Sequence, residues 1–182
     1  LMVDDHLVQS KEKVLRRLGR VDKHEANPVV SGDRIWDEGT AFPFRGGVYR
    51  EDGMWRMWYQ SWQPTALCYA ESDDGVEWRK PELDICPAED GRPSNMLLRV
   101  PFDNFSVIRD PGDPERPWKG AAWTDGPEGR GVYGFTSPDG LHWERIERAL
   151  LPLAGDTTSL WHDPLKGTCV LFTRYGPGEG LP

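Results

Sequence analysis

The sequence has few cysteines and no long hydrophobic run, and each shortage excludes classes of protein. Three scattered cysteines in 182 residues (Cys68, Cys86 and Cys169) are too few for a disulfide framework or a zinc site. No stretch approaches the roughly 18 apolar residues of a membrane span, so we expect no membrane partner. Lys and Arg (22) are outnumbered by Asp and Glu (30), and the resulting net charge of −8 argues against nucleic acid as a partner.

Aromatic residues and turn formers are abundant instead. Apolar residues make up only 37% of the chain, but it contains 9 Trp and 11% aromatic residues, which a disordered chain lacks. Gly (20) and Pro (16) together account for about one residue in five. This density of turn formers favours many short strands. Helices receive little support, and the charged stretch 8–18 favours a strand over a short amphipathic helix.

Two repeats indicate the architecture. The pattern Ser-x-Asp-Gly-(Val/Leu)-x-Trp occurs at 72–78 and again at 137–143, each time after a strand-like stretch. Asp can bond to the amides of its own turn and Gly accepts a positive φ, so each copy predicts a turn between strands. A second pattern, Asp-x-x-Ser-(Val/Leu)-x-x-Asp-Pro, occurs at 103–111 and 156–164, with a looser copy at 44–52.

The repeats predict an all-β protein, a β-propeller of four-stranded antiparallel blades. Four strands in roughly 50–65 residues is the size of one propeller blade. We expect an N-terminal strand segment at 1–34, blade 1 at 35–100, blade 2 at 101–153 and the start of blade 3 at 154–182. About two and a half blades do not close a ring, which typically needs ~4–8. We therefore expect the chain to be a fragment lacking its C-terminal half, or to be completed by another chain.

Three segments carry a resemblance to a known family. Residues 1–8, 23–29 and 68–83 resemble bacterial proteins classed with the N-terminal domain of glycoside hydrolase family 32. Those proteins are five-bladed propellers related to glycoside hydrolase families 32 and 43, and this chain corresponds to about the first half of one. The resemblance implies that carboxylates at the starts of the innermost strands surround a central pocket that hydrolyses glycosidic bonds.

Four acidic residues are candidates for catalysis. Asp103 and Asp156 begin the inner strands of the second repeat and should face each other across the pocket. Glycoside hydrolysis needs two carboxyl groups in different environments, one protonated and one ionised. In the first blade Phe44 stands where the repeat has Asp, so we expect Asp37 or Glu38 to supply the carboxylate there. The alternative is that these carboxylates only bond to local amides at strand starts.

The segment 109–111 imitates the Arg-Asp-Pro motif of family 32, but we assign it no catalytic role. The repeat pairs Asp110 with Asp163, inside a turn between strands where Asp-Pro is ordinary. The Asn-Asp-Pro-Asn and Glu-Cys motifs of that family are absent from the sequence. These absences argue against fructan hydrolysis.

Three further residues are candidates for substrate binding. His24 and Asn27 could hydrogen-bond to sugar hydroxyls, and Trp36 could stack on a pyranose ring; each has an equally simple structural role as a local donor or as core packing. The four His residues are dispersed and make no metal signature, and the chain has no Gly-rich phosphate loop. We expect neither a metal nor another cofactor.

The sequence therefore predicts a glycoside hydrolase-like propeller that acts on an oligo- or polysaccharide through axial carboxylates. It does not identify the sugar, the linkage, or which carboxylate is the acid. The alternative is a non-catalytic propeller that binds carbohydrate or protein, and a third possibility is a degenerate surface protein with neither role. The cellular location is left open, with an extracellular or periplasmic one favoured.

Overall fold

A computed structural model describes residues 8–15, 17, 19–39, 41–152 and 155–174, apart from the side chains of 42–46. Residues 1–7, which belong to the family resemblance, lie outside the described residues. The described part contains ten β-strands and no helix, so the predicted all-β class is confirmed. It accordingly contains no helix that is long and apolar enough to cross a membrane.

The strands form three antiparallel sheets in sequence order, which we call blades 1, 2 and 3. Blade 1 contains β1 (Phe42–Glu51), β2 (Met54–Trp62), β3 (Thr65–Ser72) and β4 (Met96–Leu98). Blade 2 contains β5 (Phe102–Arg109), β6 (Trp118–Gly126), β7 (Gly129–Ser137) and β8 (Glu144–Pro152). Blade 3 contains β9 (Thr158–Asp163) and β10 (Thr168–Thr173). The first strands of successive blades are neighbours, because β1 contacts β5 and β5 contacts β9.

The two Ser-x-Asp-Gly turns have the same geometry. In the second copy, Ser137 Oγ accepts a hydrogen bond from the Gly140 amide at 2.9 Å, and Asp139 Oδ1 accepts from the amides of Leu141 and His142 at 2.8 Å. The first copy repeats these bonds at Ser72 and Asp74. In both copies the indole N–H of the Trp donates to the glycine carbonyl at 3.0 Å. The repeated motif is thus a local hydrogen-bonded unit that ends the third strand of each blade.

The hydrogen bonds in this turn affect the ionisation of its carboxylate. Burial alone would raise the pKa of Asp139, but hydrogen bonds from His142 and Leu141 and from the hydroxyl of Ser137 outweigh it and lower the pKa to about 2. The equivalent Asp74 has a lowered pKa because it accepts hydrogen bonds from the backbone of Val76 and the residue after it. Both turns therefore favour the ionised carboxylate.

The main core lies between blades 1 and 2 and is built from aromatic rings. Trp58 of β2 and Trp118 of β6 are buried with ring centroids 4.6 Å apart, and Tyr49 packs edge-on against both. Trp58 Nε1 also donates to the Gly140 carbonyl at 2.7 Å, so blade 1 is bonded to the turn of blade 2. This core fixes how the two blades, and the ends of their inner strands, sit relative to each other.

The outer part of blade 1 differs from the regular repeat. Arg79 forms a short bridge with Glu71 directly after the Ser-x-Asp-Gly turn, but Pro81 follows and the chain leaves the sheet. It returns as β4, a three-residue strand that begins only at Met96. Proline lacks an amide hydrogen and cannot continue the ladder, which accounts for the excursion.

The N-terminal segment covers the face of blade 1 that points away from blade 2. Val30, Trp36 and Ala41 pack there on a cluster that includes Met57 and Tyr59. The strand expected within 8–18 is absent from the described residues of that stretch. Its apolar side chains have no sheet to pack on, since Val14 and Leu15 are exposed, and an isolated strand without a partner is not stable.

Blade 3 has one packed and one open face. Leu160 and Leu171 pack toward blade 2, and the Leu160 amide donates to Ser106 Oγ of β5 at 3.0 Å. Trp161 and Phe172 belong to the opposite face and are 50% and 58% exposed. Blade 3 is therefore joined to blade 2 through its inner strand and leaves apolar side chains open on its far side.

Candidate active site

Asn104 joins the two segments that carry Asp103 and Asp156. It lies at an irregularity in the pairing of β5 with β6, between Asp103 and Ser106, and has a left-handed backbone with φ of 54°. Its side-chain amide donates to the backbone carbonyl of Asp156, and the backbone carbonyl of Asn104 accepts from Thr158 Oγ1 at 2.6 Å. A bulge of this kind redirects side chains at the end of a strand. The structure thus brings the chain at 103–104 next to the chain at 156–158.

The Asp156 carboxylate is half-buried just before β9. Its Oδ1 accepts from Arg174 Nη2 at 2.9 Å and from Thr157 Oγ1 at 3.2 Å, and 36% of the side chain is exposed. The Arg174 side chain is itself 64% exposed, so this is a surface ion pair that contributes little to stability. The carboxylate can therefore be reached from solvent.

Asp103 lines a cleft between blades 1 and 2, with a volume of about 180 Å³. On one side of the cleft the Arg130 guanidinium makes two 2.8 Å hydrogen bonds to Asp125 and lies 4.8 Å from the centre of the Trp123 ring. On the other side are Trp62 and Thr65, which flank the turn between β2 and β3. Asp103 therefore lies in a cavity whose walls combine aromatic rings and charged groups.

Asp110 and Asp163 lie at the opposite ends of the same two strands. Asp110 follows β5 and accepts from the Gly112 amide at 2.9 Å, while Asp163 ends β9 and accepts from the Leu165 amide at 2.9 Å. Both residues bond to the turn that follows them, as the repeat predicts. Substitutions of Asp110 and Asp163 can therefore serve as matched controls for substitutions of the acids at the strand starts.

Asp37, the candidate acid of the first blade, is fully buried, and both oxygens of its carboxylate accept hydrogen bonds. Its Oδ2 accepts from Lys80 Nζ at 2.6 Å and from the Tyr59 hydroxyl at 2.7 Å, and its Oδ1 accepts from the Arg34 amide at 2.8 Å. The side chain of Lys80 is only 7% exposed. The contacts favour a structural role, in which Asp37 fastens the N-terminal segment to blade 1. The neighbouring Glu38 is exposed.

The ion pair between Asp37 and Lys80 is surrounded by polar groups that are buried from solvent. Asn95 donates to the Tyr59 hydroxyl and to the Tyr69 carbonyl, both at 2.7 Å. Burial raises the pKa of the Tyr59 hydroxyl well above its ordinary value, and it raises the pKa of the Cys68 thiol to about 12. Both groups are therefore neutral at ordinary pH, and Cys68 is not a reactive thiol.

The three residues expected to bind substrate are dispersed. His24 and Asn27 belong to one exposed turn, in which Asn27 Nδ2 donates to the His24 carbonyl at 3.0 Å and His24 Nδ1 accepts from the Ala26 amide at 3.2 Å. Trp36 is buried, and its Nε1 donates to Asn95 Oδ1 at 2.7 Å. Part of Trp36 lines a separate cavity of about 510 Å³.

Three residues that carry much of this geometry, Gln60, Trp62 and Asn104, were not singled out from the sequence. Gln60 of β2 accepts at Oε1 from the Asn104 amide at 3.2 Å, and Trp62 lines the cleft beside Asp103. Asn104 occupies a variable position of the second repeat, and Gln60 follows an aromatic stretch that reads only as a strand. A polar residue inside an otherwise buried strand was the available signal for Gln60. Among the described residues, no group of three or more His, Cys, Asp or Glu side chains could hold a metal ion.

Comparison with known protein sequences finds one distant relative. No family model matches the chain. An uncharacterized protein of Mycobacterium tuberculosis is 30% identical over 131 residues, which are 65% of this chain and 38% of that protein. The chain thus spans well under half the length of this relative.

Three solved structures are similar in fold. Candidate glycoside hydrolases of Bacteroides ovatus and Parabacteroides distasonis match with TM-scores of 0.55 and 0.52 at 16% and 15% identity, over 79% and 76% of this chain. A structure from glycoside hydrolase family 130, mannoside phosphorylases that include hydrolases of β-1,2 mannosidic linkages in Candida mannan, matches with a TM-score of 0.51 at 13% identity over 82% of this chain.

The chain covers about half of each of these structures, between 46% and 50% of their length. Family 130 has the five-bladed propeller fold. Together with the four-stranded antiparallel sheets, the likeness shows that this chain has the β-propeller fold seen in glycoside hydrolase-like proteins.

Proposed function

We propose that this chain belongs to a β-propeller glycoside hydrolase that cleaves an oligo- or polysaccharide, with Asp103 and Asp156 as the catalytic carboxylates. The observation that carries the proposal is the Asn104 hydrogen bond, which brings the segments of the two acids together at the starts of neighbouring inner strands. Kinship with families 32 and 43, and the division into blades at 35–100, 101–153 and 154–182, are parts of the same proposal.

The chemistry requires one carboxyl group to protonate the leaving oxygen and the other to act as base or nucleophile. Asp103, in the cleft beside Trp62, and Asp156, beside Arg174, have different surroundings, which is the condition for giving two carboxyl groups different roles. Asp156 pairs with Arg174, so its surroundings suit an ionised base or nucleophile. Because the reaction needs one carboxyl group in each role, Asp103 is assigned the acid role in this proposal.

The proposal is tested by amide substitutions in the full-length protein. We expect Asp103→Asn and Asp156→Asn each to reduce glycan hydrolysis by at least the ~10²–10⁴-fold that acid–base catalysis supplies. Asn preserves size and still accepts a hydrogen bond, so the folded state should be little affected. The substrates are β-1,2-linked mannooligosaccharides, fructooligosaccharides and β-1,4-linked glucooligosaccharides, with product release measured by chromatography.

Asp110→Asn and Asp163→Asn are the matched controls, since these acids lie at the opposite ends of β5 and β9. They should retain hydrolysis. Equal losses in the control and test variants would show that the acids at the strand starts have no special role, and so would full activity in Asp156→Asn.

A non-catalytic carbohydrate-binding propeller is the second candidate. The ion pair between Asp156 and Arg174 favours it, because a carboxylate held by an arginine can simply present oxygen acceptors to sugar hydroxyls. Under this candidate the wild-type protein binds one of the three glycan series without releasing any product from it.

A further inference from the structure

Trp62 lines two cavities. It ends β2, lines both the 180 Å³ cleft beside Asp103 and the 510 Å³ cavity beside Trp36, and is 47% exposed. Gln63 and Pro64, which follow it in the turn to β3, line the larger cavity. A large aromatic ring thus forms the boundary shared by two recesses.

The larger cavity is lined by both apolar and polar side chains. Its apolar lining includes the rings of Trp36 and Pro64, together with Ile35, Ala88 and Met96. Gln63 and Glu89 supply the polar groups. The indole N–H of Trp36 is already bonded to Asn95, so its contribution to this cavity is apolar surface. Apolar ring faces with a few polar groups around them suit the alternating C–H and O–H surfaces of a sugar.

Gln60 adds an independent sign of a missing ligand close by. Its Oε1 accepts from the Asn104 amide, which fixes the orientation of the side chain and leaves Nε2 as its donor group. Gln60 is only 8% exposed, and its Nε2 is buried with no hydrogen-bond partner among the described residues. Buried donors are nearly always paired, so an unpaired one beside the Asp103–Asn104 segment marks a position for an acceptor from a ligand. Gln60 and Trp62 project from the same face of β2, two residues apart.

The charges of the groove indicate which glycan it would accept. Glu89, which is paired with Arg99 at 2.6 Å, lines the larger cavity, while Asp103 and Asp125 line the smaller one. The one arginine of the smaller cavity, Arg130, is already paired with Asp125 by two hydrogen bonds. Carboxylates accept hydrogen bonds from hydroxyl groups but repel uronic acids and sulfates. The net charge of −8 also repels such anionic sugars.

From this geometry we infer an extended binding groove for a neutral oligosaccharide that crosses from the Asp103 cleft over Trp62 into the cavity beside Trp36. The inference rests on the proposed function and deepens it, because it makes the substrate a chain of several sugar units. Trp62 is the stacking platform between the inner and outer subsites. Sugar units beyond those at the carboxylates gain affinity from the ring of Trp62 and from the cavity behind it.

The groove is tested by measuring how affinity depends on glycan length. Calorimetric titration of the full-length Asp156→Asn protein uses one to six sugar units of each of the three oligosaccharide series named above. We expect affinity to increase with glycan length. In this background, Trp62→Ala should make that gain in affinity smaller by a factor of about ten or more, as truncation of a Trp at the centre of an interface does. Trp62→Phe should keep most of the gain because it keeps a stacking ring.

Trp161→Ala is the matched control, because Trp161 is equally exposed at 50% but lies on the far face of blade 3. It should leave the length dependence unchanged. In the active protein, Trp62→Ala should raise the KM for long substrates and leave kcat nearly unchanged. This pattern is expected when the lost contact stabilises the bound substrate and the transition state equally. Melting temperatures of all variants show that folding is preserved.

The possible failures are distinguishable. If Trp62→Ala and Trp161→Ala have the same length dependence while Asp156→Asn still abolishes hydrolysis, the groove is wrong and the proposed function stands. If affinity is the same for one unit as for six, the groove is equally wrong. If the protein neither binds nor cleaves any series, the proposed function fails, and the groove fails with it.

Discussion

Replacing Gly140 by alanine should strongly destabilise the protein, because a side chain at this position would enter the contact between blades 1 and 2. A Cβ atom there would lie 2.7 Å from Trp58 Cζ2 and 3.3 Å from Trp118, and both rings are buried. The backbone has a φ of +78°, which costs a non-glycine residue about 1–2 kcal/mol. Overpacking typically adds about 1–3 kcal/mol, so the expected loss is about 2–5 kcal/mol.

Gly75→Ala is a matched control within the same chain. Gly75 occupies the equivalent position of the first Ser-x-Asp-Gly turn with a φ of +81°, but its nearest contact, Trp55 Nε1, would lie at an ordinary 3.5 Å. It should therefore lose only the backbone contribution of about 1–2 kcal/mol. Urea unfolding of both variants, followed by Trp fluorescence, measures the difference. Equal losses would refute the packing of Trp58 of blade 1 on the turn of blade 2.

Two further substitutions test the polar parts of the structure. Lys80→Met should lower the free energy of unfolding in urea by about 3–5 kcal/mol, because it leaves the fully buried Asp37 carboxylate without its cation. Adding Asp37→Asn to this variant should recover part of the loss, and the absence of any recovery would contradict the structural role of the pair. The pKa of Asp139 is lowered from 3.8 to about 2 on folding, so the stabilisation it gives is complete above about pH 4 and is lost as the pH falls toward 2. Asp139→Asn should flatten the stability curve over that interval, and parallel curves for the two proteins would contradict the proposed hydrogen bonds.

The repeats predict the parts of the fold that depend on local sequence. The Ser-x-Asp-Gly turns form as expected, because every hydrogen bond of the motif links residues within three positions of each other. The alternation of strands and turns likewise follows from Gly, Pro and Asp at the turn positions, for example Asp52 and Gly53, which both adopt positive φ between β1 and β2.

The parts that the sequence does not predict depend on contacts between distant residues. The sequence makes Asp37 a candidate catalytic acid, but it gives no sign that Lys80, 43 residues away, pairs with it. Asn104 reads as an unremarkable strand residue, and only the proximity of β9 gives it the bond to Asp156. The late start of β4 follows from the excursion after Pro81, which interrupts an otherwise regular repeat. The contacts of Asp37 and Asn104 have no periodic or compositional signal, whereas Pro81 is a local signal for the interruption before β4.

A crystal structure of the full-length Asp156→Asn protein with a bound oligosaccharide tests the central claim most directly. The claim is that the starts of β5 and β9 form the catalytic centre. We predict a sugar unit within hydrogen-bond distance of the side chains at positions 103 and 156, since a catalytic carboxyl group must reach the scissile oxygen or the anomeric carbon. A sugar bound only at the opposite ends of these strands, beside Asp110 and Asp163, would contradict the account.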